Sequence, residues 1–219
     1  MIIVGIADLH GDVSLLSRVF EKAGRVDVML LLGDITDFGH AEHAKSVIDA
    51  VRLGARHVFA VAGNCDNRDV EDYLEKDGVG VHRKGVILDG IGFVGAGKSL
   101  PGPGRTPNEA SENDFRRFLQ DGIACLPNAM PLIFVTHQPP IDTAIDDFPG
   151  RGHVGSVAIR DYIEKEKPLI SFSGHIHEAA GIDSIGDTKV VNPGPLRKGK
   201  YAYAEIEAGR VKTLELRAV

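Results

Sequence analysis

The sequence predicts an α/β fold: one domain spanning residues 1–219, with two sheets flanked by helices. Three observations lead there. The first third alternates short apolar runs with amphipathic segments in the order βαβαβ, which implies parallel strands. The middle and the C-terminal part add further short apolar runs, some in a hairpin context. A length of 219 residues with 43% hydrophobic content suits a single large core.

Each element has a local reason. Ile2–Ala7 is short, β-branched and uncharged, and reads as a buried strand. Leu15, Leu16, Val19, Phe20 and Ala23 share one face of a helix over 13–23, which Gly24 ends. Val28–Leu32 is the second strand. Ala44, Val47, Ile48 and Val51 mark a helix over 41–53, and His57–Val61 is the third strand. Asp89-Gly90 joins the runs 86–88 and 91–94 as a hairpin. Residues 95–110 form a Gly/Pro-rich loop, after which Ser111 caps a helix running to Gln120. Leu132–Val135 is a buried strand, followed by a long loop over 137–153. Ser156–Lys165 is a helix and Leu169–Ser173 a strand. Residues 190–219 read as short strands joined by turns, one at Ala208-Gly209.

Composition excludes several function classes. A net charge of −6, aromatics at 6% and no Trp argue against a general nucleic-acid binder, which needs a basic field and stacking platforms. Cys65 and Cys125 form no CxxC pair, so a zinc ribbon or a disulfide framework is not expected. The N-terminus lacks a basic leader region, and no apolar run approaches the ~18 residues of a membrane span. A soluble, cytoplasmic protein is expected.

The residues that follow the apolar runs carry the chemistry. They are Asp8 and His10, then Asp34 and Asp37, then Asn64, Cys65 and Asp66, then His137, then His175 and His177. Ligands bind outside the carboxyl ends of strands in open α/β sheets. The strand ends therefore offer oxygen and imidazole donors suited to a transition metal. Residues two apart, as in Asp8-x-His10 and His175-x-His177, point the same way on extended backbone. Gly33, Gly63 and Gly174 precede donors and allow close backbone approach. Any one motif is weak, since a lone buried His is usually a hydrogen-bonded core residue. The repeated choice of Asp, Asn and His after buried strands is not.

This ordered set resembles the calcineurin-like metallophosphoesterase superfamily, from Asp8 to His177. The resemblance implies a four-layer αββα sandwich with two facing mixed sheets. It also implies two divalent ions, one held by Asp8, His10, Asp34 and His177, the other by Asp34, Asn64, His137 and His175, with Asp34 shared. Manganese comes first among the metals, with Fe, Zn, Co or Ni compatible. Many members carry His at the position of Cys65. The Gly-Asn-Cys-Asp form is similar to a small phosphodiesterase branch.

The reaction expected is hydrolysis of a phosphate ester by a metal-bridging hydroxide, with Asn64 helping to stabilise charge on phosphorus. His153 is the candidate proton donor, standing in for the missing His, against a plain surface role. Asp66 orients Asn64 or a loop, and Asp37 does similar work near the first ligands. Cys65 is read as a small buried filler in preference to a neighbour of the ions. The loop over 95–109 could cover the site, and Asn192-Pro193-Gly194-Pro195 could line it or serve as a rigid turn. The Arg197–Lys200 basic run could attract phosphate or be a solvated loop. Partners expected are a small phosphate ester, nucleotides included, and no membrane; a homodimer is compatible with the size. A phosphomonoesterase, a nuclease and a catalytically silent metal-binding scaffold are the alternatives.

Overall fold

The computed structural model describes residues 1–219. One mixed sheet joins β1 (Ile2–Ile6), β2 (Val28–Leu32), β3 (His57–Val61), β12 (Lys200–Glu207) and β13 (Arg210–Ala218) in the order β13-β12-β1-β2-β3. The other joins β4 (Gly85–Leu88), β5 (Ile91–Ala96), β6 (Leu132–Thr136), β9 (Ile170–Phe172), β10 (Gly181–Ile185) and β11 (Thr188–Asn192) in the order β10-β11-β9-β6-β5-β4. β1, β2 and β3 run parallel, as do β5, β6, β9 and β11.

Strand alternation produces the layers. In β2, Val28, Leu30 and Leu32 face one way and Met29 and Leu31 the other. The first set meets Ile133, Val135 and Phe172 of the second sheet, forming the inter-sheet core. The second set packs under α1 (Leu16–Ala23), α2 (Ala41–Arg52) and α3 (Arg68–Lys76). On the far face of the second sheet, Phe134 and Val94 pack against α4 (Glu112–Ala124) and α5 (Val157–Glu166). The result is the expected αββα sandwich. Gly5 permits its tight centre, since a Cβ there would stand 2.9 Å from the ring of Phe172.

Local signals held where they were chemical. Ser111 and Ser156 cap α4 and α5, accepting from the backbone N–H of Asp114 and Ile159. Asp89 and Gly90, at φ 48° and 78°, make the two-residue turn between β4 and β5.

Three features differ from expectation. α3 carries little apolar signal in the sequence, because only Val70 and Leu74 on it are buried and, Tyr73 apart, the rest is charged. β10 also escaped, since its alternating burial is carried by few apolar residues. The C-terminal strands are long, eight and nine residues, not short. No helix is long and apolar enough to cross a membrane.

Candidate metal centre

The carboxyl ends of β1, β2 and β3 in one sheet, and of β6 and β9 in the other, open at the same edge of the sandwich. The chain turns sharply there. Asp8, His10, Asp34 and His175 all sit in the left-handed region, at φ 52°, 48°, 46° and 68°. Asp and His tolerate this conformation better than most residues, and such strained positions cluster at functional sites. Convergence of Asp8 with His10 therefore comes from left-handed turns and not from the extended backbone assumed from spacing. The turns interlock: Asp8 N donates to Gly33 O at 3.2 Å, and His10 N to Asp34 O at 2.9 Å.

The glycines clear the space. A Cβ on Gly33 would fall on the ring of His137, and one on Gly63 on the carboxylate and backbone nitrogen of Asp34. At Gly174 it would stand 2.7 Å from Ala7 Cβ and 3.0 Å from Asp8 Oδ2.

The donor atoms form three overlapping groups, one of which includes Cys65. Those of Asp8, His10 and His177 lie within 4.8 Å of one another, as do those of Asp8, Asp34 and His137. Asp34 spans them, with Oδ2 3.9 Å from His10 Nε2 and Oδ1 3.5 Å from His137 Nε2. Asn64 Oδ1 lies 2.9 Å from His137 Nε2. The rings of His137 and His175 are 4.9 Å apart, and those of His10 and His177 5.6 Å.

Electrostatics favour a cation here. Burial, then the neighbouring His137, push His175 down to about 3, so its imidazole is neutral. Burial alone would raise Asp8, but the His177 hydrogen bond and the surrounding imidazoles outweigh it and hold Asp8 as a carboxylate. The same contact raises His177. His137 Nδ1 donates to Leu32 O at 2.8 Å, so in the neutral ring Nε2 is a lone pair. That lone pair faces two further acceptors, Asn64 Oδ1 and Asp34 Oδ1. Lone pairs converging at the shared edge fit divalent ions.

A family model for calcineurin-like phosphoesterases matches residues 1–179, most of the chain. The chain belongs to the calcineurin-like phosphoesterase family. An uncharacterized protein of Methanocaldococcus jannaschii is 39% identical over 207 residues, 93% of this chain and 91% of its own length. A Thermus thermophilus protein of known structure superposes with a TM-score of 0.74 at 18% identity, covering 99% of this chain and 98% of its own. A dimetal phosphatase from Danio rerio superposes with a TM-score of 0.59 at 12% identity, covering 100% of this chain and 96% of its own.

In this phosphoesterase Asp66 is fully buried and accepts four hydrogen bonds. Gly63 N and Ile35 N donate to Oδ2 at 2.8 and 3.1 Å; Thr36 N and Thr36 Oγ1 donate to Oδ1, each at 2.8 Å. It pins the Asp34 turn to the Asn64 turn. Burial and the nearby Asp34 raise it to about 6. Asp37 is exposed, with Oδ1 3.8 Å from His10 Nδ1. Cys65 is not a buried filler: it is partly exposed, and its Sγ lies within 4.8 Å of donor atoms of His10 and Asp34. Burial and Asp34 push its thiol up, so it stays protonated.

The structure does not bring His153 to this cluster. Its side chain is exposed and its Nδ1 lies 2.8 Å from Asp146 Oδ1. It belongs to a small hairpin inside the 137–153 segment, β7 (Asp147–Phe148) paired with β8 (Gly152–His153). That hairpin walls a cavity of about 430 Å³ that begins at Asn64 and His175. The loop over 99–109 makes the opposite wall.

Three further residues support the site, two of them, Asn108 and Gln138, missed by motif spacing. Asn108, nearly fully buried, donates from Nδ2 to Gly63 O at 2.9 Å and from its backbone to Asn64 O at 3.2 Å. Gln138 joins the cavity walls, accepting from Leu100 N and donating to Val154 O. Asn192 donates to Ile176 O at 2.9 Å, between the two His of the last motif, and accepts from Gly194 N at 2.8 Å. The Asn192–Pro195 segment is thus a brace, with Leu196 N donating to Ala7 O beside Asp8. A lone Asn or Gln carries no spacing signal, which is why Asn108 and Gln138 are not visible in the sequence. Of the basic run, Lys198 donates to His177 O at 2.9 Å.

Proposed function

We propose that this protein is a dinuclear-metal phosphodiesterase. The observation that carries the reading is the position of Asp34, whose two carboxylate oxygens address His10 on one side and His137 on the other. Asp8, His10, Asp34 and His177 would hold one ion, and Asp34, Asn64, His137 and His175 the other. Such a pair lowers the pKa of a water and neutralises charge developing on a phosphoryl group.

The remaining work belongs to the chain. The Leu32 carbonyl fixes the His137 tautomer, and Asp66 and Asn108 fix the turn that carries Asn64. Rigid placement of this kind lowers the reorganisation needed at the reacting phosphorus. Cys65, a protonated thiol, replaces the imidazole that many relatives carry there, which disfavours a leaving group in need of an imidazolium proton. The cavity starting at Asn64 and His175 leaves room for a second ester arm, which supports a diester over a monoester.

The test is turnover of bis-p-nitrophenyl phosphate against p-nitrophenyl phosphate by chelator-stripped protein with Mn²⁺ restored. Metal-dependent turnover favouring the diester, absent in His137→Ala, is expected. Dominant monoester turnover would instead assign a phosphatase.

A further inference from the structure

We propose that the cavity beside the donor cluster is a subsite for one ester substituent, and that it selects a planar ring laid on Phe148 and Arg151. This rests on the phosphodiesterase reading, because the ring is placed relative to a phosphoryl group held at the cluster.

Position comes first. The cavity opens directly from Asn64 and His175, so a substituent on phosphorus there runs into it. At about 430 Å³ it is within the range of small-molecule pockets and large enough for a ring. Its walls are apolar where they are free. Pro101 and Pro103 stand on the loop side and Phe148 and Val154 on the hairpin side. Two of the polar side chains between them already have partners. Gln138 uses its amide on Leu100 N and Val154 O, and Glu109 accepts from Thr106 N and Thr106 Oγ1, each at 2.8 Å. The free wall is mainly apolar, a face that a ring can cover.

Phe148 and Arg151 supply that face. The guanidinium carbon lies 5.5 Å from the ring centroid, and Arg151 makes no ion pair with any carboxylate. The guanidinium stands over the Phe148 ring, and another ring can stack against this cation–π pair. The hairpin holds it in place. Arg151 N donates to Phe148 O at 3.0 Å, and Phe148 pairs with Gly152. At the base, the fully buried Asp146 accepts from Thr143 N, His153 Nδ1 and Gly155 N at 2.8, 2.8 and 2.9 Å. His153 is therefore a positioning residue for the ring platform.

The experiment measures binding of phenylphosphonate and methylphosphonate to Mn²⁺-loaded protein by titration calorimetry, with bis-p-nitrophenyl phosphate turnover recorded on the same samples. The expected result is roughly tenfold tighter binding of phenylphosphonate. Phe148→Ala should bring the ratio near one without changing methylphosphonate affinity, and Phe148→Tyr should retain it. Equal affinities in the native protein, or a ratio that survives Phe148→Ala, would overturn the subsite. Absence of turnover with the ratio intact would refute the phosphodiesterase reading and leave the subsite standing.

Discussion

His137 presents opposite faces to two neighbours: Nδ1 donates to the Leu32 carbonyl at 2.8 Å, and Nε2 lies 2.9 Å from Asn64 Oδ1. The first contact sets the tautomer, so the second is a meeting of lone pairs that a cation would relieve. His137→Ala should reduce bound manganese from two ions per chain toward one, measured by elemental analysis after dialysis. Stoichiometry unchanged from the native protein would show that His137 is not a ligand. Stripping the metal should also lower the melting temperature of the native protein more than that of the variant, since ligands of the folded state stabilise it by mass action.

Asp66 ties the turn of Asp34 to that of Asn64 through four accepted hydrogen bonds. Asp66→Ala leaves those donors without a partner. It should weaken metal binding about 10- to 100-fold, the usual effect of losing a group that orients ligands. Competition with a metal-binding dye reads this directly, and an affinity within about twofold of native would contradict the tie.

Gly63 has ordinary backbone angles, so its need for glycine is purely steric. A Cβ would fall on Asp34. Gly63→Ala should displace the shared carboxylate and abolish turnover, while Gly186→Ala, which meets open space, should keep it. Gly186 has positive φ, so its alanine costs roughly 1–2 kcal/mol of stability and leaves the site intact. Comparable activity in both variants would refute the close approach.

His82 is largely covered beside Phe118, accepts a hydrogen bond from Gly97 N at Nδ1, and is pushed down to about 3 by desolvation and then by Lys98 and Arg83. The folded state keeps it neutral while the unfolded chain takes up a proton below its ordinary value of 6.5. Stability from this group is therefore complete above pH 6.5 and falls as the pH drops from 6.5 toward 3. The slope is at most about 1.4 kcal/mol per pH unit. Urea unfolding at pH 7 and pH 5 should show a smaller difference for His82→Asn than for the native protein; equal differences would argue against a desolvated neutral imidazole.

Much of the site was legible in the linear order. Asp8, His10, Asp34, Asn64, His137, His175 and His177 each follow a buried strand, and the strands were visible because apolar, β-branched runs of that length have few alternatives. The glycines beside them were legible for the same reason, since a residue without Cβ next to a donor implies close approach. The α/β class and the cap at Ser111 are likewise local chemistry.

What only the tertiary structure decided is everything that depends on distant segments meeting. Spacing suggested extended backbone for Asp8-x-His10, but interlocking with the Gly33–Asp34 turn imposes left-handed angles. Spacing also put His153 near a substrate, whereas Asp146 captures it and turns the hairpin so that Phe148 and Arg151 form the wall. Asn108, Gln138 and Asn192 act on backbone atoms of other loops, and a hydrogen bond to a distant main-chain group requires no particular neighbour in sequence. Strand ends and donor types are properties of short segments; the joints between loops exist only once both sheets have packed and brought those loops to the same edge.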